Sequence, residues 1–241
     1  MYGQEKRRIM NKFWEDRLPV PAIRTIEDMQ SVFAIPGPYP NNTLYFMYRD
    51  LSENESDKKW LSAHLLRFDL TRIPPGTISG EFVKTKGHYH PEAPDGTGYP
   101  ELYQVINGSA HYLLQKEDLS DIVSIEASAG DVVLIPPGYG HVTINPSSEE
   151  LLMSNIVSDA FSSIYGHYED KQGAAYYEFE KEGWRANPAY GDVCEIRIVK
   201  PKNLDDLGIP TKKSIYDLVG DEEKLAFLNK PSLLDDFDII P

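Results

Sequence analysis

The 241-residue sequence lacks two features that would place it outside a reducing compartment or in a bilayer. It has one cysteine, Cys194, so an internal disulfide is excluded. It has no uninterrupted apolar run of the length, about 18 residues or more, that a transmembrane helix needs. The first residues, MYGQEKRRIMNKFWED, are charged and lack the apolar core of a signal peptide. Together these absences predict a cytoplasmic protein.

Positive charge is also scarce. Lys and Arg number 24 against 38 Asp and Glu, which gives a formal net charge of −14. General binding to nucleic acid or to an anionic membrane needs the opposite sign, so we expect neither partner. The sequence contains no phosphate-cradling P-loop and no dinucleotide fingerprint. An anionic substrate would meet unfavourable long-range steering, and its attraction would have to be local.

The composition divides the chain into three parts. We assign residues 1–42 to an N-terminal extension, 43–200 to a β-domain and 201–241 to a helical C-terminal extension. The middle part contains short runs such as TLYFMYRD, ELYQVING and DVVLIPPG, separated by glycine and proline. Short β-rich runs with turn residues between them are typical of a sandwich or barrel rather than of alternating βα units.

The two terminal parts carry helix signals. The mixed apolar and charged residues of Met10–Arg17 and Thr25–Phe33 predict short helices. In the C-terminal part, Ser214 and Asp221 are suited to N-cap two further helices. The tail PSLLDDFDIIP has two interpretations, a segment packed on the barrel or on a partner subunit, and a partly ordered acidic tail.

Strand periodicity brings metal-ligating side chains together. In a strand, residues i and i+2 point to the same face, so Gly-His88-Tyr-His90 presents two imidazoles side by side. Glu101 and Tyr103 repeat this geometry on the next predicted strand, and His141 lies on a third. Three imidazoles and one carboxylate suit Fe, Mn, Ni, Co or Zn better than Mg or Ca. Such a set leaves coordination positions open for a substrate.

Two motifs resemble those of the cupin superfamily. Residues 130–145, GDVVLIPPGYGHVTIN, match the second cupin motif, G-x5-P-x-G-x2-H-x3-N, at every fixed position. Residues 88–108 resemble the first motif, although the loop at residues 91–100 is longer than in typical cupins and the usual leading glycine is displaced. The resemblance implies an all-β fold, a cupin double-stranded β-helix (jelly-roll) barrel with N- and C-terminal helical extensions.

A narrower resemblance covers residues 45–173. The phrases FVKTKGHYH, ELY and PPGYGHVTIN look like those of the cupin-type glucose-6-phosphate isomerases of archaea and some bacteria. The resemblance implies a homodimeric, metal-dependent aldose–ketose isomerase of glycolysis and gluconeogenesis that interconverts glucose 6-phosphate and fructose 6-phosphate. One divalent transition metal would be held by the residues that match the family's ligands, namely His88, His90, Glu101 and His141.

The resemblance also implies a substrate site. Glu101 is the family's usual base, with a hydride shift as the competing mechanism, and Tyr103 would line the reacting centre. The phosphate-binding positions fall on Thr71, Thr85, the backbone of Gly87 and an early tyrosine, which is Tyr45 or, as second choice, Tyr48. Tyr165 aligns with a later tyrosine of the family. Two other family positions, a tyrosine and a histidine, fall on Val157 and Ser163, and His167 is a candidate replacement for the histidine.

Two lysines are candidates for local positive charge near the predicted site. Lys84 and Lys86 are candidates for the attraction that the net charge denies, with solvated strand residues as the alternative interpretation. His111 is interpreted as a strand-face residue, His64 precedes a predicted strand with no partner in view, and Trp184 favours packing or an interface. The rival functions are a different metal-dependent cupin enzyme, either a sugar-phosphate isomerase or epimerase or an iron dioxygenase, and a ligand-binding cupin without turnover. A pocket blocked by the loop at residues 91–100 would favour the last of these.

Overall fold

The computed structural model describes residues 18–209, 211 and 213–240, so the helix expected at Met10–Arg17 lies outside the described residues. The strands are β1 (Ala22–Thr25), β2 (Thr43–Tyr48), β3 (Leu66–Ile73), β4 (Thr77–Ile78), β5 (Glu81–Phe82), β6 (Glu101–Asn107), β7 (Ser109–Lys116), β8 (Ile122–Ser128), β9 (Val132–Ile135), β10 (Tyr139–Ile144), β11 (Leu151–Ser158), β12 (Tyr176–Phe179), β13 (Gly183–Ala186) and β14 (Arg197–Val199). The α-helices are α1 (Ile26–Met29), α2 (Glu55–Ala63), α3 (Gly166–Asp170) and α4 (Glu222–Leu225). Single 3₁₀ turns lie at Gln30–Val32, Pro188–Tyr190, Asp205–Leu207, Ile215–Leu218, Ala226–Leu228 and Pro231–Leu234.

The strands form a barrel of two sheets with a small third sheet beside it. The six-stranded sheet has the order β1-β2-β3-β11-β6-β9, and the four-stranded sheet has the order β10-β7-β8-β14. The third sheet has the order β13-β12-β5-β4. Strand β14 runs parallel to β8, and the other recorded strand pairs are antiparallel. This architecture confirms the predicted all-β cupin fold.

The inner strands β6 and β11 of the six-stranded sheet are buried on both faces. On β6, Tyr103 and Val105 point into the barrel and pack with the core there. Leu102 and Ile106 point outward and pack under the C-terminal segment. Buried Gln104 fixes that segment, since its side chain donates to the Lys213 carbonyl (2.7 Å) and accepts from the Ile215 amide (3.0 Å).

The C-terminal segment has the predicted N-caps. The Ser214 hydroxyl accepts from the Tyr216 amide, and the Asp221 carboxylate accepts from the Lys224 amide. The elements that follow are a 3₁₀ turn and a four-residue α-helix, shorter than a helical extension suggests. Leu234 of the tail is buried in the cluster outside the six-stranded sheet, so the tail packs on the barrel.

The N-terminal part contains the short helix predicted at Thr25–Phe33 and, before it, a strand that was not predicted. Strand β1 ends at Thr25, whose side chain forms a capping box with Asp28 and starts α1, and the 3₁₀ turn at Gln30–Val32 follows directly. Strand β1 pairs with β2, and Arg24 lies opposite Tyr45. The predicted domain boundary between residues 42 and 43 therefore falls between two hydrogen-bonded strands of one sheet.

Helix α2 was not expected from the sequence. It begins after Asn54, whose side chain caps the amides of Ser56 and Asp57. His64, for which the sequence offered no partner, closes this helix and stacks on Trp60 with ring centroids 4.1 Å apart. No helix in the described part of the chain is long and apolar enough to span a bilayer.

Candidate metal centre and the cavity around it

Three segments position the four predicted metal ligands inside the barrel. Glu101 opens β6 of the six-stranded sheet, and His141 lies on β10 of the facing four-stranded sheet. His88 pairs with His141 through two backbone hydrogen bonds of 3.2 and 3.0 Å, which places their imidazoles on the same side. His90 follows two residues later, as the strand period requires. The ring centroids of His88 and His141 are 4.4 Å apart.

The ligand atoms converge at distances that suit one ion. The Nε2 atoms of His88 and His90 are 3.0 Å apart. Glu101 Oε2 lies 3.4 Å from His90 Nε2 and 3.3 Å from His141 Nε2. All four ligand atoms fall within 4.8 Å of one another. Two adjacent ligands about 2.1 Å from the same ion would be separated by about 3 Å, so the cluster fits a transition metal.

Hydrogen bonds behind the cluster orient its ligands. Asn155 on β11 donates from Nδ2 to Glu101 Oε1 (2.7 Å), and no hydrogen bond is made to the buried Oε2 atom. His90 Nδ1 lies 2.8 Å from the carbonyl oxygen of Tyr99. A carbonyl only accepts, so Nδ1 carries the proton and Nε2 keeps a free lone pair. The buried, unbonded carboxylate oxygen beside these lone pairs is the environment that a cation satisfies.

Electrostatics favour the protonation states that a metal requires. Burial, helped by the neighbouring imidazoles, lowers the pKa of His88 well below its ordinary value. Burial also lowers the pKa of His141, although Glu101 opposes the shift. For Glu101 burial acts to raise the carboxyl pKa, but the adjacent His141 and His90 side chains outweigh burial and hold the pKa well below its usual range. Neutral imidazoles and an ionised carboxylate are the forms that bind metals.

A cavity of about 390 Å³ opens beside the cluster. His88, His90 and Glu101 form one wall, and His141 lies behind them. The cavity brings together the six remaining residues predicted from the family resemblance and Lys86, the candidate for local positive charge: Tyr45, Thr71, Thr85, Lys86, Gly87, Tyr103 and Tyr165. Their binding and catalytic roles stay predictions. Tyr48, the second choice for the early tyrosine, lies in the outer cluster on the opposite face of β2.

Two hydroxyl groups in this part of the cavity, those of Thr85 and Tyr45, can donate hydrogen bonds to an anion. The Thr85 hydroxyl oxygen accepts from the Thr143 amide (2.9 Å), and the Tyr45 oxygen accepts from the Lys86 amide (3.3 Å), which leaves both O–H groups able to donate. Burial raises the pKa of the Tyr45 phenol to about 12, so this group stays protonated at neutral pH.

The two candidate lysines have different environments. Lys86 lines the cavity and forms an ion pair with Glu169 (2.6 Å). Lys84 does not reach the cavity and is not solvated either, so both interpretations of it were wrong. It is buried in an ion pair with Glu81 and donates to the Val32 carbonyl (2.8 Å). Lys84 therefore ties the N-terminal segment to the third sheet, because burying a charged amine requires partners.

Sequence reasoning missed three arginines that line the cavity, Arg24, Arg49 and Arg67. Arg49 and Arg67 share the buried carboxylate of Asp69, at 2.6 and 2.9 Å. Arg49 follows Tyr45 and Met47 at the strand period, and this alternation is the signal that identifies it. Because arginine is common on protein surfaces, an arginine in an alternating pattern does not by itself indicate a cavity residue.

Of the other candidate residues, two line the cavity and two lie outside it. Val157 and Ser163 line the cavity. His167 points away from it into a neighbouring cleft, where its Nδ1 lies 3.2 Å from Glu117 Oε1, so it does not replace the family's histidine. His111 pairs with Glu178 (2.8 Å) outside the cavity. No residue of the loop at 91–100 lines the cavity, so this loop does not block it. A blocked pocket was the observation that would have favoured a ligand-binding cupin without turnover.

We expect Asn155→Leu to weaken metal binding about 10- to 100-fold, as losses of ligand-orienting hydrogen bonds do. The change removes the donor to Glu101 Oε1 and leaves that buried oxygen unsatisfied, at about 1–3 kcal/mol of stability. Competition with a fluorescent chelator measures the affinity. Asn145→Leu is the matched control, because this equally buried amide donates to the carbonyls of Ile73 and Glu149. Asn145→Leu should lower the stability of the protein and leave its metal affinity unchanged. Equal loss of metal affinity in both variants would contradict the orienting role of Asn155.

The fold and the site together define a cupin with a three-histidine, one-glutamate cluster suited to a divalent transition metal. A family model described as glucose-6-phosphate isomerase (GPI) matches residues 23–195, more than half of the chain. The chain belongs to the glucose-6-phosphate isomerase family.

Curated relatives agree with this membership. A glucose-6-phosphate isomerase of Thermococcus gammatolerans is 28% identical over 62% of this chain and 75% of its own. The one of Thermococcus kodakarensis is 32% identical over 49% and 59%, and the one of Sinorhizobium medicae is 29% identical over 47% and 48%. The alignments thus span from about half to three quarters of the relatives' length.

A solved oxalate decarboxylase of Bacillus subtilis is similar over 50% of this chain and 28% of its own, with 21% identity and a TM-score of 0.37. A likeness of this extent says nothing about the substrate.

Proposed function

We propose that the protein is a metal-dependent glucose-6-phosphate isomerase that interconverts glucose 6-phosphate and fructose 6-phosphate. One observation carries the proposal. The four-ligand cluster forms a wall of a cavity that also holds hydroxyl donors and cationic side chains, so one molecule can place its hydroxyl-bearing carbons at the cluster and its phosphate among the donors. Membership of the family supports the same substrate pair.

The chemistry follows from the side chains at the cluster. A bound divalent metal would supply Lewis-acid stabilisation of the negative charge that develops on the substrate oxygens. Starting from fructose 6-phosphate, Glu101 takes a proton from C1, a proton passes from the C1 hydroxyl to O2, and Glu101 returns its proton to C2, which converts ketose to aldose through an enediol. Asn155 keeps Oε1 of this carboxylate occupied, so Oε2 is the oxygen left for the role of metal ligand or base. Tyr103, whose hydroxyl is 3.3 Å from His141 Nε2, lines the same wall.

The phosphate would bind at the end of the cavity formed by Tyr45, Thr85 and Gly87. Two hydroxyls with free protons and a glycine that leaves its backbone accessible can donate to a phosphate dianion. This arrangement answers the difficulty raised by the net charge of −14, since attraction would come from groups inside the cavity rather than from the long-range field.

An assay that couples glucose 6-phosphate formation to a dehydrogenase tests the proposal. Protein as purified, supplied with fructose 6-phosphate, should form glucose 6-phosphate, and the same preparation treated with a chelator should not. Fructose without phosphate is the control substrate and should react poorly. An oxygen electrode separates the rival cupin enzyme, since oxygen uptake with no isomerisation would contradict the proposal. The homodimer, the cytoplasmic location and the choice among Fe, Ni, Mn, Co and Zn stay predictions.

A further inference from the structure

Arg24 reaches the cavity from the edge of the barrel. It lies on β1, directly opposite Tyr45 on β2, and opposed residues of an antiparallel pair project to the same face. Tyr45 faces the cavity, and Arg24 lines the same wall. The neighbouring Ile23 points outward and is 47% exposed, as strand alternation requires. The inward direction of Arg24 is therefore a property of the sheet and does not depend on a flexible loop.

Among the described residues, Arg24 differs from the other cations at the cavity because it has no carboxylate partner there. Arg49 and Arg67 pair with Asp69, and Lys86 pairs with Glu169. No carboxylate lies within 4.0 Å of Arg24 in the part of the chain that the structure describes, and its buried Nε atom makes no hydrogen bond there.

The side chains nearest to the Arg24 guanidinium are polar and uncharged. They are the phenol groups of Tyr45 and Tyr165, and the guanidinium carbon lies 5.8 Å from the centre of the Tyr165 ring. A half-buried guanidinium without an anion has lost part of its hydration with no compensating charge. An anionic ligand in the cavity would supply that charge. The planar, permanently charged guanidinium matches the oxygens of a phosphate in a two-bond geometry.

We propose that Arg24 is a phosphate-binding residue that holds the phosphate dianion of the sugar substrate together with Tyr45 and Thr85. The inference rests on the proposed function for the identity of the sugar, but the phosphate requirement stands on the unpaired guanidinium itself. It adds a cation to a phosphate site whose other predicted groups are neutral hydroxyls and a backbone amide. It also makes β1 part of the binding site.

Arg24→Gln removes the charge and keeps a polar, although shorter, side chain. We expect the KM for fructose 6-phosphate to rise about 10- to 100-fold, the range of a lost charge-assisted hydrogen bond, with kcat changed much less. The inhibition constant of inorganic phosphate should rise by a similar factor. Arg24→Lys keeps the charge and should recover part of the loss. Arg72→Gln is the matched control, since Arg72 lies on β3, pairs with Glu150 at 2.9 Å and does not line the cavity.

Direct binding of inorganic phosphate, measured by calorimetry on wild type, Arg24→Gln and Arg72→Gln at equal metal content, separates this inference from the proposed function. Binding that is present in wild type and in Arg72→Gln, and lost in Arg24→Gln, supports the inference even if wild type fails to isomerise fructose 6-phosphate. Absence of phosphate binding in wild type, or equal binding in wild type and Arg24→Gln, overturns it. A melting temperature of Arg24→Gln close to that of wild type shows that the loss is not a folding defect.

Discussion

Glu101→Gln should lower kcat for the isomerisation by about a thousandfold or more, within the range that general acid–base groups contribute. The substitution preserves side-chain volume and the acceptor for Asn155 Nδ2, but removes the negative charge beside His90 and His141. Both proposed roles, metal ligand and base, need that charge. Metal content measured on the same sample separates them, because retained metal with lost turnover identifies the base.

Glu178→Gln is the control for this change. Glu178 is also mostly buried and also lies beside an imidazole, that of His111 (2.8 Å), but it lies outside the cavity, so the substitution should leave turnover unchanged. The reaction run in deuterium oxide adds a second test. Deuterium at C2 of the glucose 6-phosphate product is the result expected of a carboxylate base. Near-normal kcat in Glu101→Gln, or product without deuterium, would contradict proton transfer through Glu101 and favour the hydride shift.

Gly87→Ala should reduce the free energy of unfolding by about 2–5 kcal/mol and disturb the metal centre. Gly87 has φ of +79°, a left-handed conformation that costs other residues energy, and an added Cβ would lie 2.6 Å from Val142 Cγ2. Relief of that clash must shift the segment that carries His88, the next residue. Metal affinity should therefore fall together with stability.

A second glycine of the same conformation isolates the steric part of this effect. Gly96 has φ of +83° with nothing within 4 Å of an added Cβ. Gly96→Ala should therefore reduce the free energy of unfolding by about 1–2 kcal/mol, through the backbone conformation alone. Urea denaturation of both variants at the same free metal concentration gives the comparison, since bound metal adds to stability. Equal losses in the two variants would show that the contact with Val142 is unimportant.

The metal ligands were readable from the sequence because two local rules identify them. Strand alternation places His88 and His90 on one face, and the complete second motif fixes His141. Glu101 was placed in spite of the long loop before it, and that loop has a role that spacing does not reveal. Tyr99, near its end, accepts from His90 Nδ1, so the loop helps orient a ligand.

Other features depend on contacts between distant segments. Arg24 lies between two segments that were predicted to be helical, and its pairing with β2 makes it an inward-facing strand residue. Lys84 alternates like a solvated strand residue, yet its partner Glu81 and the Val32 carbonyl form a buried site for its charge. Local propensity does not encode such pairings, and they decide which cations reach the cavity.

Stepwise addition of a divalent transition metal to stripped protein tests the central claim most directly. Isomerase activity with fructose 6-phosphate should rise in proportion to the metal added and level off at about one equivalent per chain, since the four ligands form a single site. A His141→Gln variant should stay near the background rate throughout the titration. Full activity in the stripped protein, or an increase that His141→Gln shares, would contradict a catalytic metal at this cluster.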